Sequence, residues 1–258
     1  MLEDLFSMKD KVCVVTGGSR GLGYFMTQGF FAAGARRIYI TARKAEACEA
    51  AAKELSEFGE CIALPGDLSS LDQINSLVKT LEDRESSIDV LVNNAGAAWE
   101  EKLGEFTEIG WDKVMDLNVK TPFFLTQGLI PLLKKGATAD NTSCVINIGS
   151  IAGIHGRSTT FSYAPSKAAV HQVTRNLAGA LAEDHIRVNA IAPGRFFSKM
   201  TEYASNNKQM YDAEIRSIPL HRWGEASDIS GVAIMLASPA GAFITGQIIP
   251  VDGGATLI

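Results

Sequence analysis

Residues 11–23 read Lys11-Val12-Cys13-Val14-Val15-Thr16-Gly17-Gly18-Ser19-Arg20-Gly21-Leu22-Gly23. After Lys11 the run Val12–Thr16 is mostly apolar and β-branched without alternation, the pattern of a strand covered on both faces. The glycines that follow let the chain turn tightly. They also let a phosphate approach backbone N–H groups at the start of a helix, where the dipole is positive. The spacing is GxxxGxG and departs from the GxGxxG dinucleotide fingerprint. A glycine turn alone can be ligand-free, so the strand before it and the helical stretch after it carry the phosphate-binding reading.

Outward from this turn, strand-like runs alternate with helical stretches. Strands are expected at 11–16, 37–41, 61–65, 88–92, 144–148, 186–191 and 247–251, and helices near 22–33, 45–58, 71–84, 111–134, 163–184 and 226–236. Such alternation predicts an α/β fold. It is a single-domain Rossmann-type doubly wound seven-stranded parallel sheet with helices on both faces, spanning 1–258, with right-handed crossovers. The stretch 194–223 shows no regular period and reads as a lid that orders on cofactor or substrate binding.

The 258 residues are 46% hydrophobic and 21% charged, enough to bury a core without disulfides or metal. A net charge of −5 with no block of like charges speaks against nucleic acid or an anionic membrane as partner. No apolar run reaches the roughly 18 to 20 residues that cross a bilayer. The first residues are acidic where a signal peptide is basic. Cys13, Cys48, Cys61 and Cys144 form no CxxC pair, and a reducing cytoplasm fits them. His155, His171, His185 and His221 have no metal-ligand spacing, so no metal is expected.

The charge around the glycine turn bears on the choice of dinucleotide. NAD binders place an acid at the end of the second strand for the ribose 2′-hydroxyl. Here that strand ends Ile40-Thr41-Ala42-Arg43, and Arg20 lies inside the turn. Two guanidinium groups suit a 2′-phosphate, which favours NADP(H); the other reading of Arg43 is a solvated residue at a helix start.

Ser150 ends the fifth strand, and Tyr163 and Lys167 follow with i, i+4 spacing that puts both on one helix face. A phenol gives up its proton near neutral pH only with help, and an adjacent ammonium supplies it. Ser150 can hydrogen-bond a carbonyl oxygen as charge develops there. A YxxxK alone arises often by chance.

Joined to the glycine turn, these residues resemble the short-chain dehydrogenase/reductase family over nearly the whole chain. Gly17, Ser19, Arg20, Gly21, Leu22 and Gly23 match its cofactor turn. Asn94, Ala95 and Gly96 match its NNAG segment, Asp67-Leu68 its adenine-contacting pair, and Pro193-Gly194 its nicotinamide-side turn. Ser150, Tyr163, Lys167 and Asn118 match its four active-site positions. Ser198 stands where many members place a Thr for the carboxamide. The resemblance implies hydride transfer from the nicotinamide to a ketone carbon, with Tyr163 as general acid and Lys167 holding the ribose and supporting the phenolate. It implies a proton relay through a carbonyl and a water at Asn118. The C-terminal pattern through Val251-Asp252-Gly253-Gly254 implies a homotetramer.

Within the family the likeness runs to bacterial NADPH-dependent 3-oxoacyl reductases, in particular the kind associated with rhamnolipid synthesis. It is carried by TGGSRGLG, Ala42-Arg43, Asp67-Leu68-Ser69-Ser70, VINIGS, Ala164-Pro165-Ser166-Lys167 and APGRF. The implied substrate is a 3-oxoacyl thioester or related β-keto compound. Trp99, Ile154, His155, Phe196, Phe197 and Met200 are candidates for an apolar wall along the acyl chain, or else ordinary packing. Asn141 and Asp184 occupy positions where carrier-protein-docking relatives are basic. Lys134 and Lys135 are the substitutes at hand, so an acyl carrier protein is a doubtful partner. A dehydrogenase of a sugar acid, polyol or other secondary alcohol is the alternative, and a non-catalytic NADP(H) sensor is a third.

Overall fold

Among the described residues, seven strands form one parallel sheet in the order β3-β2-β1-β4-β5-β6-β7. The structure is a computed structural model, and it describes residues 2–156, 160–197, 201 and 207–257. The strands are β1 (Val12–Thr16), β2 (Arg37–Thr41), β3 (Glu60–Ala63), β4 (Val90–Asn93), β5 (Ser143–Ile148), β6 (Ile186–Pro193) and β7 (Ile248–Val251). Strand order reverses between β1 and β4, and at such a switch point a crevice opens beyond the carboxyl ends of the strands.

The helices are α1 (Leu2–Leu5), α2 (Gly21–Ala32), α3 (Ala45–Leu55), α4 (Leu71–Arg84), α5 (Glu108–Met115), α6 (Thr121–Lys135), α7 (Tyr163–Leu181), α8 (Lys208–Arg216) and α9 (Ala226–Ala237). They cover both faces of the sheet, and the period-2 geometry of β1 shows how. Cys13 and Val15 join Phe30 of α2, Leu55 of α3 and Leu236 of α9 in one core. Val12 and Val14 join Leu81 of α4, Leu129 of α6 and Leu177 of α7 in the other. Each fully buried aliphatic or aromatic side chain contributes about 1.5–3 kcal/mol, so both faces of a strand gain from being apolar.

Polar side chains fasten the amino ends of the strands, away from the crevice. The buried Glu85 accepts from Arg37 Nη1 at 2.6 Å and from the Tyr39 hydroxyl at 2.8 Å, while Arg37 Nε donates to Glu60 at 2.7 Å. Burial, with the Glu85 carboxylate beside it, pushes the Tyr39 phenol up to about 12. Lys11 Nζ and the Val12 N–H both bond Asp89, tying β1 to the entry of β4.

Two sequence expectations are corrected. The helix expected over 111–134 is α5 and α6, joined by a π-helical turn at Asp116–Lys120 and beginning three residues earlier, where the Thr107 hydroxyl caps Gly110 N–H. The stretch 194–223, expected to be irregular, contains α8. Asn207 caps it by accepting from the N–H groups of Gln209 and Met210.

Candidate active site

The crevice is a cleft of about 600 Å³ at the carboxyl ends of the strands. One wall is the turn after β1, where Gly17, Ser19, Arg20, Gly21 and Leu22 line the cleft. Gly17 has φ +65°, and a Cβ there would stand 2.9 Å from Asn94 Nδ2, so only glycine fits. Asn94 holds the turn: its Nδ2 donates to the carbonyls of Thr16 and Gly17 at 2.8 and 3.1 Å. Gly23 lies outside the lining, beneath the turn against the Gly17 carbonyl. Arg20 precedes α2 with no side-chain cap, and the first turn of α2 carries no acid, which leaves its dipole uncompensated by the chain.

Beyond β2 the lining continues with Thr41, Ala42, Arg43, Lys44 and Ala47, then Gly66 and Leu68. Among the described residues no Asp or Glu lines the cleft, while Arg20, Arg43 and Lys44 do. The Asp67 carboxylate is taken up locally, accepting from Ser69 N and Oγ at 3.1 and 2.8 Å. Lys44 escapes the sequence reading; its signal is a second cation directly after Arg43 at the start of α3. These features fit a dinucleotide carrying an extra phosphate: an open helix start, a glycine floor and three exposed cations with, among the described residues of the lining, no competing carboxylate.

The deep end brings together Ala95, Gly96, Ser150, Tyr163, Lys167, Pro193, Gly194 and Phe196. Ser150 caps the short turn Ile151–Gly153, its Oγ accepting from Ala152 N–H at 3.1 Å. Gly149, which also lines the cleft, packs so close to His171 that a Cβ there would meet Nε2 at 2.2 Å. Lys167 Nζ donates to the Ile148 carbonyl at 2.8 Å, and burial lowers its pKa to about 8. Burial also raises the Tyr163 phenol, opposed by the Ser150 hydroxyl hydrogen-bonded to it and by the nearby Arg195 guanidinium. Lys167 Nζ, turned to a backbone carbonyl, lies 5.6 Å from the centre of the Tyr163 ring. Arg195 escapes the sequence reading, although it directly follows Pro193-Gly194.

Asn118 lies in the π turn and outside the lining. Its Oδ1 accepts from Ala97 N–H at 2.8 Å, and its Nδ2 donates to the Ala97 carbonyl and to Ser166 Oγ, both at 2.9 Å. Ser166 Oγ in turn donates to the Tyr163 carbonyl at 2.6 Å. Asn118 is thereby joined to the start of α7.

The expected acyl wall assembles only in part. Phe196 lines the cleft and is buried. Phe197 lies outside the lining and packs with Tyr211 and Trp223, at centroid distances of 6.2 and 4.9 Å. Trp99 packs on Gly110 under Lys113 Nζ, which lies 4.4 Å from the ring centre. Ile154 is exposed, and His155 Nε2 pairs with the Thr256 carbonyl at 3.2 Å; neither lines the cleft. Ser198 and Met200 lie outside the described residues.

The family model described as enoyl-(acyl carrier protein) reductase matches residues 17–256. The chain is 48% identical over 250 residues to the rhamnolipids biosynthesis 3-oxoacyl-(acyl-carrier-protein) reductase of Pseudomonas aeruginosa, covering 96% of this chain and 97% of that one. It is 36% identical over 254 residues to the 2-dehydro-3-deoxy-D-gluconate 5-dehydrogenase of Escherichia coli K12, covering 98% of each. The solved Pseudomonas aeruginosa RhlG/NADP active-site complex superposes with a TM-score of 0.95 at 47% identity, over 98% of both chains. A match that runs from the glycine turn almost to the end of the chain, with relatives that cover 96–98% of it, places the chain in the short-chain dehydrogenase/reductase family.

Proposed function

We propose that the chain is an NADPH-dependent carbonyl reductase that converts 3-oxoacyl thioesters or related β-keto compounds to 3-hydroxy products. The observation that carries the reading is the cleft itself, where Ser150, Tyr163 and Lys167 meet at one end and Arg20, Arg43 and Lys44 at the other. The cations hold the phosphate that distinguishes NADP(H), and the open start of α2 takes the pyrophosphate. When bound, NADPH supplies the hydride for the carbonyl carbon. Ser150 donates a hydrogen bond to the carbonyl oxygen and stabilises the charge that develops there. Tyr163 gives its phenolic proton to the same oxygen, and the Ser150 hydrogen bond eases the loss of that proton. Lys167 would hold the nicotinamide ribose, and Asn118, bonded to Ser166, steadies the start of α7 on which Tyr163 stands.

The carrier assignment follows the charge at the surface. Lys134 forms an ion pair with Asp184, so its charge is already engaged where a carrier protein's acids would dock. A coenzyme A ester or free ketone therefore suits the site better. Assembly as a homotetramer belongs to the same reading, supported by Ile109, Trp111 and Phe123 standing exposed on α5 and α6. Sedimentation as a monomer would remove that part. Four free, buried cysteines are in keeping with work in a reducing cytoplasm.

The test is NADPH oxidation with acetoacetyl-CoA, a longer 3-oxoacyl-CoA, a 3-oxoacyl carrier protein, ethyl acetoacetate and 5-ketogluconate, each repeated with NADH. Turnover on the β-keto compounds with NADPH is expected. Tyr163→Phe is expected to lose on the order of 100- to 10,000-fold in kcat while still binding cofactor. Activity confined to the sugar acid would replace the substrate with that of the gluconate-type relatives. Unaltered behaviour of Tyr163→Phe would mark a sensor.

A further inference from the structure

Two turns line the deep end of the cleft. One follows β5 and carries Ser150, and the other is Pro193-Gly194, where β6 ends. At their roots the sheet joins them, with Gly149 N–H donating to the Ile191 carbonyl at 2.8 Å. From Ser150 the chain coils tightly. Gly153 N–H donates to the Ser150 carbonyl, and the N–H groups of Ile154 and His155 both donate to the Ile151 carbonyl, all at 3.0 Å. From Gly194 the contacts pass to the segment after β7. Gly194 N–H donates to the Val251 carbonyl at 2.9 Å, and a Cβ on Gly194 would stand 2.8 Å from Asp252 Cα. The Asp252 carboxylate accepts from Gly254 N–H at 3.0 Å and from Thr256 N–H at 2.8 Å, which folds that segment back on itself.

His155 connects the two coils. Its Nε2 lies 3.2 Å from the Thr256 carbonyl. A carbonyl only accepts, so the ring carries a hydrogen on Nε2. Contacts then run in a closed ring from Ser150 through His155, Thr256 and Asp252 to Gly194, and back along β6 to Gly149. Of these links, the His155 bond is the one in which a side chain reaches across to a distant segment. Without it the Ser150 turn is anchored at its root and free at its far end. Displacing a group by about 1 Å at a reacting centre costs on the order of 100-fold in rate.

We propose that His155 is a positioning residue for the reduction: by closing this ring it sets the Ser150 hydroxyl relative to the Pro193-Gly194 turn, and it does so without touching the substrate. This rests on the reductase reading above and adds a residue to it.

The test assays His155→Leu, His155→Gln and His155→Asn with NADPH on ethyl acetoacetate and acetoacetyl-CoA. The amide nitrogen of glutamine stands where Nε2 stands and still donates, whereas that of asparagine stands at the place of Nδ1 and falls short. His155→Leu and His155→Asn are expected to lose about tenfold in kcat, with the Kd for NADPH, read by nucleotide fluorescence, unchanged. His155→Gln is expected to stay within about twofold of wild type. In a Ser150→Ala background, assayed at raised enzyme concentration, His155→Leu is expected to cost nothing further, because the hydroxyl it serves is gone. If His155→Leu fails to fold, His155→Asn takes its place throughout. A kcat unmoved in His155→Leu and His155→Asn, equal losses in His155→Asn and His155→Gln, or a loss that persists without the Ser150 hydroxyl overturns the positioning role and leaves the reductase reading standing. Wild type idle on both ketones overturns both.

Discussion

Lys167 follows Tyr163 by one turn of α7, with its Nζ 5.6 Å from the centre of the phenol ring and 2.8 Å from the Ile148 carbonyl. The ammonium is thus buried against one carbonyl at the floor of the cleft. The arrangement is poised for a ligand's hydroxyls and is unfavourable without them.

The cost of that burial can be read from stability. An unfolded lysine ionises near 10.5 and the folded Lys167 near 8, so between these values the unfolded chain holds more protons. The penalty is full below pH 8 and fades as pH rises toward 10.5. Lys167→Met is therefore expected to raise stability at pH 7, on the order of 2 kcal/mol, while kcat collapses. Denaturant unfolding of the two proteins at pH 7 and pH 10 checks this. A gain equal at both values would refute the cause given.

His171 makes the matching prediction on the acid side. Burial, with Lys167 and Arg175 adding to it, lowers its pKa to about 4, against 6.5 in the unfolded chain. As pH falls from 6.5 to 4, the unfolded state takes up a proton that the folded state refuses, so stability is lost across that window. His171→Leu is expected to flatten the fall in Tm over that window. An unchanged acid limb would assign the loss to other groups.

Gly149 and His171 form a steric pair behind Ser150. Gly149→Ala forces a methyl onto the imidazole and is expected to cost about 1–3 kcal/mol and to displace Ser150, lowering kcat. Adding His171→Ala should restore part of both losses. A double variant no better than Gly149→Ala alone would show that the methyl acts on something else, and a double-mutant cycle measures the difference.

The three cations at the far end of the cleft predict cofactor choice. Alanine at Arg20, Arg43 or Lys44 is expected to raise KM for NADPH about 10- to 100-fold and to leave the value for NADH nearly unchanged. Equal losses for both cofactors would point to a damaged turn.

How far the sequence could be read depends on where each residue's position is decided. Strand β2 and helix α4 lie where their local patterns place them, because an apolar run and an amphipathic stripe are properties of adjacent residues. Helix α8 is hidden, since only Tyr211 and Ile215 of its apolar residues pack on the cluster of Trp223, from another part of the chain. The glycine turn with Ser150, Tyr163 and Lys167 is legible as a spaced motif. Trp99 and His155 show the limit: nearness in sequence to Gly96 or Ser150 does not say which way a side chain faces, and neither lines the cleft. The His155–Thr256 contact joins two segments that no local pattern connects.

The π turn at Asp116–Lys120 carries a consequence for how this chain can change. Helices α5 and α6 run into it without a break, so the three form one rod with a surplus residue at its middle. A π turn takes up one surplus residue by widening a single turn, so deleting one residue there would let α5 and α6 join as one continuous α-helix with their faces kept in place. What would be lost is the turn that carries Asn118 to Ala97 and Ser166. Here the count of residues matters as much as their kind: an exchange of Leu117 or Val119 is a local affair, while loss of one residue removes the widened turn itself.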